Sequence, residues 1–212
     1  MTKRKEFTEY AAPGVHSSVL SVLSGKNGRL LDAGCGEGAL IKRVTESLPG
    51  IRCTGTDFTR QYFKGGSPFF VSDLNKGIAA KNATFDIVCA VEVIEHLENK
   101  YLLLSEAHRV LKKGGTLILT TPNVESVYSR LFFLFTGRFY AFLRGDTDPR
   151  GKGPGMSHTS PTLSWELEKL AGGKFRIERR LFNRVRLPFL RTIIPTNSPL
   201  LGEINVFVME KI

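Results

Sequence analysis

The 212-residue sequence has few long apolar runs, and none approaches the roughly 18 residues that a helix needs to cross a bilayer. The basic start at residues 1–6 has no apolar stretch behind it, so we expect no secretory signal. Cysteine is scarce, and the residues Cys35, Cys53 and Cys89 form no Cys-x-x-Cys pair. This pattern favours reduced thiols and a cytoplasmic protein.

Internal repeats, low-complexity tracts and blocks of five like charges are also missing. The apolar content of 42% and charged content of 24% are ordinary for a globular chain long enough for one sizeable core. The net charge is +10, and the basic excess is larger after residue 122. Such a charge fits an anionic substrate, a nucleic acid or an acidic membrane surface, and equally a merely soluble basic surface.

Segments with strand and helix patterns alternate along the first 123 residues. The run 85–91 is continuously apolar, as in a strand buried on both faces of a parallel sheet. We therefore predict an α/β, Rossmann-like, doubly wound fold with short connections. The expected strands are 29–33, 51–56, 69–72, 85–91 and 116–120, and the expected helices are 9–23 (broken by Pro13-Gly14), 39–47, a short one near 61–64, and 98–111, ended by the glycines and lysines of 112–115.

The pattern changes after Pro122. An aromatic and arginine-rich segment, 124–144, precedes a Gly/Pro/Asp loop at 145–160. A short helix at 164–170 and alternating strands at 175–182 and 204–210 follow. We predict a mostly parallel seven-stranded sheet with an antiparallel C-terminal strand and an inserted lid. The whole chain, 1–212, is then one domain, with a cofactor-binding core (29–123) and variable substrate and lid elements (124–203).

The most informative stretch is Leu-Leu-Asp-Ala-Gly-Cys-Gly-Glu-Gly at 30–38. Two apolar residues lead into Asp32, and glycines follow at positions 34, 36 and 38. This predicts a buried strand, a tight turn and a helix start, with side chains removed where a ligand approaches the backbone. The G-x-G-x-G spacing differs from the G-x-G-x-x-G of dinucleotide folds, which disfavours an NAD(P)-dependent oxidoreductase. Since no phosphate-binding lysine follows the turn, a nucleoside triphosphate is disfavoured too.

Acidic residues stand at the ends of the next three strands, where doubly wound folds bind their ligands. Asp57 ends the second strand, at an offset suited to accepting hydrogen bonds from two ribose hydroxyls. Asp73 follows the third strand, where a carboxylate can receive an exocyclic amine. Glu92 follows the fourth. An adenosine-containing ligand without a pyrophosphate fits this set.

Taken together, these motifs resemble the class I S-adenosylmethionine-dependent methyltransferases, and especially the small bacterial branch that includes ubiquinone-type O-methyltransferases. The resemblance covers about residues 29–123 and rests on the strings at 30–38, 55–57, 72–74, 85–88, 92–97, 111–115 and 121–123. It implies S-adenosylmethionine as cofactor and S-adenosylhomocysteine as product.

The resemblance also implies positions around the cofactor. Asp32 and Gly34 would lie near the methionine part and Asp57 at the ribose. Asp73 and Leu74 would flank the adenine. The full expected cofactor set is Asp32, Gly34, Cys35, Gly36, Gly38, Asp57, Phe58, Asp73, Leu74, Val91 and Glu92.

Methyl transfer from a sulfonium is an in-line displacement in which positioning supplies much of the rate. A hydroxyl acceptor must also lose a proton, and histidine is the usual base. We take His96, directly after the fourth strand, and His158, in the predicted lid loop, as the candidate catalytic residues. His16 and His108 lie on predicted helices and are interpreted as structural or surface residues.

The string Glu-x-x-Glu-His formed by Glu92, Glu95 and His96 supports a separate hypothesis. It resembles the metal-binding stretch of certain small-RNA 2′-O-methyltransferases and ubiquinone methyltransferases, and His158 would add a fourth ligand. Carboxylate and imidazole ligands suit Mg²⁺, Mn²⁺ or Zn²⁺. Because methyltransferases without a metal also carry this string, the predicted site includes none.

The aromatic and arginine-rich segment has two interpretations. It is a helical lid that also touches an anionic lipid surface, or a helix packed on the domain with its arginines reaching water. With the apolar connection at 184–201, it favours the oxygen of a small or lipid/glycan-linked metabolite as acceptor. Two alternatives stay open: an RNA methyltransferase, although no RNA-binding motif is visible, and a regulatory protein that binds the cofactor without turnover. A monomer or a homodimer is expected.

Overall fold

A computed structural model describes residues 11–12, 14–142, 158–186 and 193–212. Within these ranges, no helix has both the length and the apolar content to cross a bilayer. The helices are α1 (Val15–Leu23), α2 (Ala39–Ser47), α3 (Lys100–Val110), α4 (Val127–Thr136) and α5 (Ser164–Ala171), with 3₁₀ turns at Ile94–His96 and Tyr140–Phe142. The strands are β1 (Gly28–Ala33), β2 (Ile51–Asp57), β3 (Phe69–Val71), β4 (Phe85–Val91), β5 (Leu111–Pro122), β6 (Phe175–Phe182), β7 (Arg184–Arg186), β8 (Ile193–Pro195) and β9 (Ile204–Lys211).

Seven strands form one sheet in the order β3-β2-β1-β4-β5-β9-β6. The first five are parallel, and β9 runs antiparallel between β5 and β6. The predicted α/β fold with a mostly parallel seven-stranded sheet and an antiparallel C-terminal strand is therefore confirmed. Strand order reverses between β1 and β4, so the carboxyl ends of these two strands flank the crevice where such sheets bind ligands.

Helices cover both faces of the sheet, which is why its central strands are apolar on both sides. Along β4, Ile87 and Cys89 face the cluster that contains α1 and α2, and Val88 and Ala90 face the one that contains α3 and α5. Successive side chains of a strand point to opposite faces, so a continuous apolar run fills two cores.

The short helix expected near 61–64 is wrong. The described residues 58–66 form turns and coil without a helix. The ring of Phe63 stacks 4.7 Å from that of Phe69, and it occupies the space beside Gly38 that a Cβ would need. The Lys64 ammonium pairs with Glu37 at 2.7 Å, and the Lys64 amide donates to the Glu37 carbonyl. Long-range packing on the glycine turn thus replaces local helical hydrogen bonds.

The expectation that residues 112–115 end the preceding helix is also wrong, because α3 already ends at Val110 and these residues belong to β5. The pairing of β4 with β5 shifts register after Phe85. Lys112 pairs with Asp86 at 2.7 Å across the shift. A Cβ at Gly115 would lie 2.9 Å from the Lys112 carbonyl oxygen, so only glycine fits this irregular strand start.

The C-terminal half adds α4 and the 3₁₀ turn Tyr140–Phe142 where a helical lid was expected. Residues 143–157, most of the predicted loop, lie outside the described residues. In the connection at 184–201, β7 and β8 pair antiparallel, and 187–192 also lie outside the described part. The division into a core and variable elements stays a prediction.

Candidate active site

The glycine turn after β1 is built from backbone conformations that favour glycine. Gly34, Gly36 and Gly38 have φ of 78°, 52° and 89°. A Cβ at Gly34 would lie 2.5 Å from Val93 Cγ2, so the turn also packs tightly against the end of β4. The amides of Gly34 and Cys35 donate to the Thr56 carbonyl on β2. The turn is therefore fixed to both neighbouring strands.

Asp57, at the end of β2, contacts this turn through its carboxylate. Its carboxylate accepts hydrogen bonds from the Gly36 and Phe58 amides, each at 2.8 Å. Burial raises the pKa of Asp57, and the two amides oppose that rise. The turn is thereby connected to the end of β2, and the Phe58 ring beside it is 63% exposed.

The other acid predicted for the adenine side has a different environment. Asp73 pairs with Lys76 at 3.0 Å, and its carboxylate also accepts from the Asn75 amide. The hydrogen bond from Lys76, followed by that from Asn75, lowers the pKa of Asp73. Leu74 is buried in the core beneath it. Asp73 is thus an ionised carboxylate at the rim, whereas Asp57 is held inside.

Asp32 is buried within β1. Burial and the nearby charge of Asp57 raise its pKa to about 7. Burial and the charge of Asp32 likewise raise the pKa of the Cys35 thiol, which leaves it an unreactive thiol. A cation bound at the turn would favour the charged form of Asp32.

Glu92 follows β4 with a φ of 55°, a left-handed conformation that is uncommon outside glycine. Thr120 on β5 holds it there: the Glu92 amide donates to the Thr120 hydroxyl, and this hydroxyl donates to the Glu92 carboxylate. Burial raises the pKa of Glu92 to about 7, and the Thr120 hydrogen bond opposes the rise.

Next to Glu92, the structure brings together Glu95, His96 and His158. One ligand atom from each lies within 4.8 Å of the others. The His158 Nε2 atom is 4.0 Å from Glu95 Oε1, and the two imidazole rings are 4.9 Å apart. The amides of Thr159 and Ser160 donate to the Glu95 carbonyl, which anchors His158 here. The two histidines predicted from the sequence therefore share one site.

The protonation state of His158 follows from its surroundings. Its Nδ1 lies 2.9 Å from the Ala141 carbonyl oxygen, and a carbonyl can only accept. Nδ1 therefore carries the hydrogen, and the lone pair of Nε2 faces Glu95 and His96. Burial and the adjacent His96 lower the pKa of His158, so the imidazole is neutral at pH 7. Such a group can accept a proton or ligate a metal.

Glu95 is the most unusual member of the cluster. It is 0% exposed, and among the described residues neither of its carboxylate oxygens has a hydrogen-bond partner. Burial and the charge of Glu92 raise the pKa of Glu95 well above its usual range. A buried carboxyl of this kind needs a proton, a cation or a polar ligand group. With His96 and His158, it forms a group of three residues whose ligand atoms lie close enough together to hold a divalent cation.

The sequence did not indicate two groups that shape the site, the Thr120 hydroxyl and the Ala141 carbonyl. Thr120 fixes the backbone of Glu92, and the only signal was its position at the end of an apolar strand, before Thr121-Pro122. The Ala141 carbonyl sets the tautomer of His158, and a main-chain acceptor cannot be predicted from a pattern of side chains.

The strand order, the glycine turn and the acids at strand ends define a class I methyltransferase domain. The sequence profile of the family described as "Methyltransferase domain" matches residues 6–190. The chain belongs to this family: it is an S-adenosylmethionine-dependent methyltransferase, an enzyme of the transferase class. The predicted class and cofactor are thereby confirmed.

Relatives and solved structures agree with this assignment. The chain is similar to the mitochondrial ubiquinone biosynthesis O-methyltransferase of Rattus norvegicus, with 32% identity over 119 residues, 51% of this chain and 34% of that one. The enzyme of the same name from Maricaulis maris is 32% identical over 108 residues, 46% of this chain and 42% of its own length. The chain thus spans well under half of these relatives. A methyltransferase from Thermotoga maritima shares the fold, with a TM-score of 0.64, 21% identity and coverage of 94% and 88%.

Proposed function

We propose that this methyltransferase transfers a methyl group to an oxygen of a small or lipid/glycan-linked metabolite, with His158 as the base. The observation that carries this proposal is the neutral His158 imidazole, whose Nε2 lone pair faces the cluster after β4. The similarity to ubiquinone O-methyltransferases, which is confined to about half of the chain, supports an oxygen acceptor.

We assign the cofactor to the crevice between the ends of β1 and β4. The turn residues Gly34, Cys35, Gly36 and Gly38 would admit the methionine part, with Asp32 beneath it. Asp57 would accept from the ribose hydroxyls, because the Gly36 and Phe58 amides each bind one of its carboxylate oxygens and hold it at the end of β2. Phe58, Asp73 and Leu74 would flank the adenine, and Val91 and Glu92 would lie beside the sulfonium.

The bound cofactor would supply an electrophilic methyl carbon, to which the acceptor oxygen bonds as the carbon–sulfur bond breaks and S-adenosylhomocysteine leaves as a neutral thioether. The residues of this chain hold the acceptor oxygen and take its proton. Nε2 of His158 accepts that proton as the new bond forms. Oε1 of the buried Glu95 carboxyl lies 4.0 Å from this nitrogen, so Glu95 faces the imidazolium that forms. His96 completes the wall of the site.

If a divalent cation binds, Glu92, Glu95, His96 and His158 would hold it. It would lower the pKa of a bound hydroxyl and orient the acceptor. The carboxyl of Glu95 without a hydrogen-bond partner among the described residues supports this option. His158 would then act as a ligand, and the released proton would pass to solvent.

We propose that the lid comprises α4 and the 3₁₀ turn that follows it, in one domain with the core. A peripheral contact with an anionic membrane is supported by the exposed apolar residues of α4 and its arginine. Such a contact would give a lipid-linked acceptor direct access. A cytoplasmic location and a monomeric or homodimeric state stay predictions.

Calorimetry with S-adenosylhomocysteine tests the cofactor site. Asp57→Ala should weaken binding about 10–100-fold, since a hydrogen bond to a charged group contributes about 1.5–3 kcal/mol. Asp86→Asn, at the opposite end of the sheet, is the matched control and should bind normally. Absence of binding heat with the unmodified protein would overturn the assignment.

The acceptor is found by incubating cell extract with labelled methyl donor. We expect label in a small or lipid-extractable product, and its loss with Asp57→Ala. Label in RNA would replace the proposed acceptor class. Cofactor binding without any labelled product would instead favour a regulatory protein.

A further inference from the structure

The outer surface of α4 is apolar and unusually open. Among the ten residues of α4, all described, Ser129 alone is buried. Leu134 is 72% exposed and Phe135 82%. We call the following exposed residues the outer face: Val127, Tyr128, Leu131, Leu134 and Phe135. The helix is therefore inverted relative to an ordinary surface helix, which turns its apolar stripe toward the core.

The charge around the outer face indicates what covers it. Arg130 and Arg138 are exposed, and the sequence from 126 to 142 contains no Asp or Glu. Arginines beside aromatic and aliphatic residues favour an anionic bilayer surface. Tyr128 and Phe135 widen the exposed area beyond the stripe of Val127, Leu131 and Leu134 that a protein groove would take.

A row of aromatic rings connects α4 with the candidate active site. Phe133 stacks on Phe139 with ring centroids 4.7 Å apart, and Phe139 lies 6.4 Å from Phe142. Phe142 lies 5.3 Å from His158, whose ring is 4.9 Å from that of His96. We call Phe133, Phe139, Phe142 and His158 the ring row.

The ring row ends on the group that accepts the proton. The 3₁₀ turn that carries Phe142 also supplies the Ala141 carbonyl, which fixes the hydrogen of His158 on Nδ1. A displacement of this turn therefore moves both the ring that packs on His158 and the acceptor that sets its tautomer. The ring contacts therefore form a continuous route from α4 to His158.

We propose that the outer face docks on an anionic bilayer and that the ring row transmits this contact to His158, so that the base is positioned at the membrane. This inference rests on the proposed function, in which His158 is the base. It names the partner and gives that partner control over the site. A lipid-linked acceptor would then meet a more firmly held base where it resides.

Vesicle flotation tests the docking step without cofactor or acceptor. The wild-type protein should float with phosphatidylcholine/phosphatidylglycerol vesicles at low salt, and less at high salt, and it should not float with phosphatidylcholine alone. Phe135→Glu should abolish flotation. Ile212→Glu, at an apolar residue 57% exposed at the other end of the sheet, is the matched control and should float.

Three results overturn the docking step. The first is wild-type protein that does not float with anionic vesicles. The second is Phe135→Glu that floats as well as the wild type. A protein that dimerises through α4 but does not float assigns the outer face to a second copy of the chain.

Carbethoxylation of histidines by diethyl pyrocarbonate, followed by peptide mass spectrometry, tests the transmission step. Anionic vesicles should slow the modification of His158 several-fold, because the docked helix presses Phe142 onto its ring. His108 on α3 is the internal reference and should not change. Phe139→Ala, which interrupts the ring row, should still float but lose the protection of His158.

An unchanged His158 rate in floating wild-type protein overturns the transmission step, as does full protection in Phe139→Ala. These readouts involve no methyl transfer. A failure of the proposed function would instead appear as absent cofactor binding or an absent methylated product, so the two failures are distinguishable.

Discussion

At the scale of single residues, the chemistry of the site is set by main-chain groups as much as by side chains. The Ala141 carbonyl determines which nitrogen of His158 is basic. The Thr120 hydroxyl holds Glu92 in a backbone conformation that costs about 1–3 kcal/mol for a non-glycine residue. Strain of this size persists only where neighbours enforce it, which is typical of a functional site.

The proposed role of His158 as the base predicts a specific pH dependence. Burial and His96 lower its pKa below the usual 6.5, and only the neutral imidazole accepts a proton. The rate should therefore fall as the pH drops through a value below 6.5. His158→Gln should lower kcat by about 10²–10⁴-fold and remove this acidic limb, with little effect on cofactor affinity.

Steady-state kinetics across pH 5–8 with the identified acceptor provide the measurement for His158. His108→Gln is the control, since His108 lies on α3 near the other end of the sheet, and it should retain the wild-type profile. A His158→Gln enzyme that keeps both its rate and its acidic limb would show that another group is the base.

At the scale of elements, strongly patterned segments were predictable. The bounds of α2, β4 and β6 agree with those expected from the sequence, because β4 is a continuous apolar run and α2 and β6 have a clear apolar period with a Gly or Pro near an end. The coil at 61–64 and the start of β5 were not predictable. Phe63 and Lys112 make contacts with residues distant in sequence, and these contacts override local propensity.

The residues of the candidate site also include some that could be predicted from the sequence and one that could not. Asp57, Glu92 and His96 could be placed because they follow predicted strands, and parallel strands end at one edge of a sheet. His158 could be suspected only as a histidine in a lid loop. Its position depends on the amides of Thr159 and Ser160 at the Glu95 carbonyl, a contact between distant segments that no local pattern encodes.

The turn after β4 should make the protein less stable as the pH rises. Glu92 and Glu95 have raised pKa values in the folded state, so the native protein holds protons that the unfolded chain has released. The contribution of these two groups to the free energy of unfolding should therefore be largest below about pH 4.5, and it should fall as the pH rises toward 7 and beyond. Each unit of pKa difference corresponds to about 1.4 kcal/mol.

Urea unfolding at pH 5 and pH 8 measures this effect. Glu95→Gln removes a carboxyl that must hold its proton in the folded state. The stability of this variant should therefore fall less between the two pH values than that of the wild type. Glu46→Gln, on the exposed side of α2, is the matched control and should follow the wild type. Superimposed pH dependences of wild type and Glu95→Gln would show that Glu95 carries no proton in the folded state.

At the scale of the whole molecule, the strand order brings acids from separate parts of the chain to one crevice. Asp32 belongs to β1 and Glu92 follows β4, which are neighbours in the sheet. Both have a pKa raised to about 7, chiefly by burial. The domain therefore holds partly protonated carboxyls in the crevice that we propose as the site of the positively charged cofactor. Charge complementarity is completed only when the cofactor binds.

Cofactor binding should consequently release protons. A sulfonium and an ammonium near Asp32 and Glu92 favour their charged forms and lower their pKa, so at pH 7 part of a proton leaves each carboxyl. Calorimetry in phosphate and Tris, which differ in ionisation enthalpy, measures the number released. S-adenosylhomocysteine lacks the sulfonium charge and should release fewer. Asp32→Asn should reduce the number of protons released. At pH 9 the release by the wild-type protein should vanish, because both carboxyls are already ionised. Equal binding heats in both buffers at pH 7 would contradict the coupling between cofactor binding and proton release.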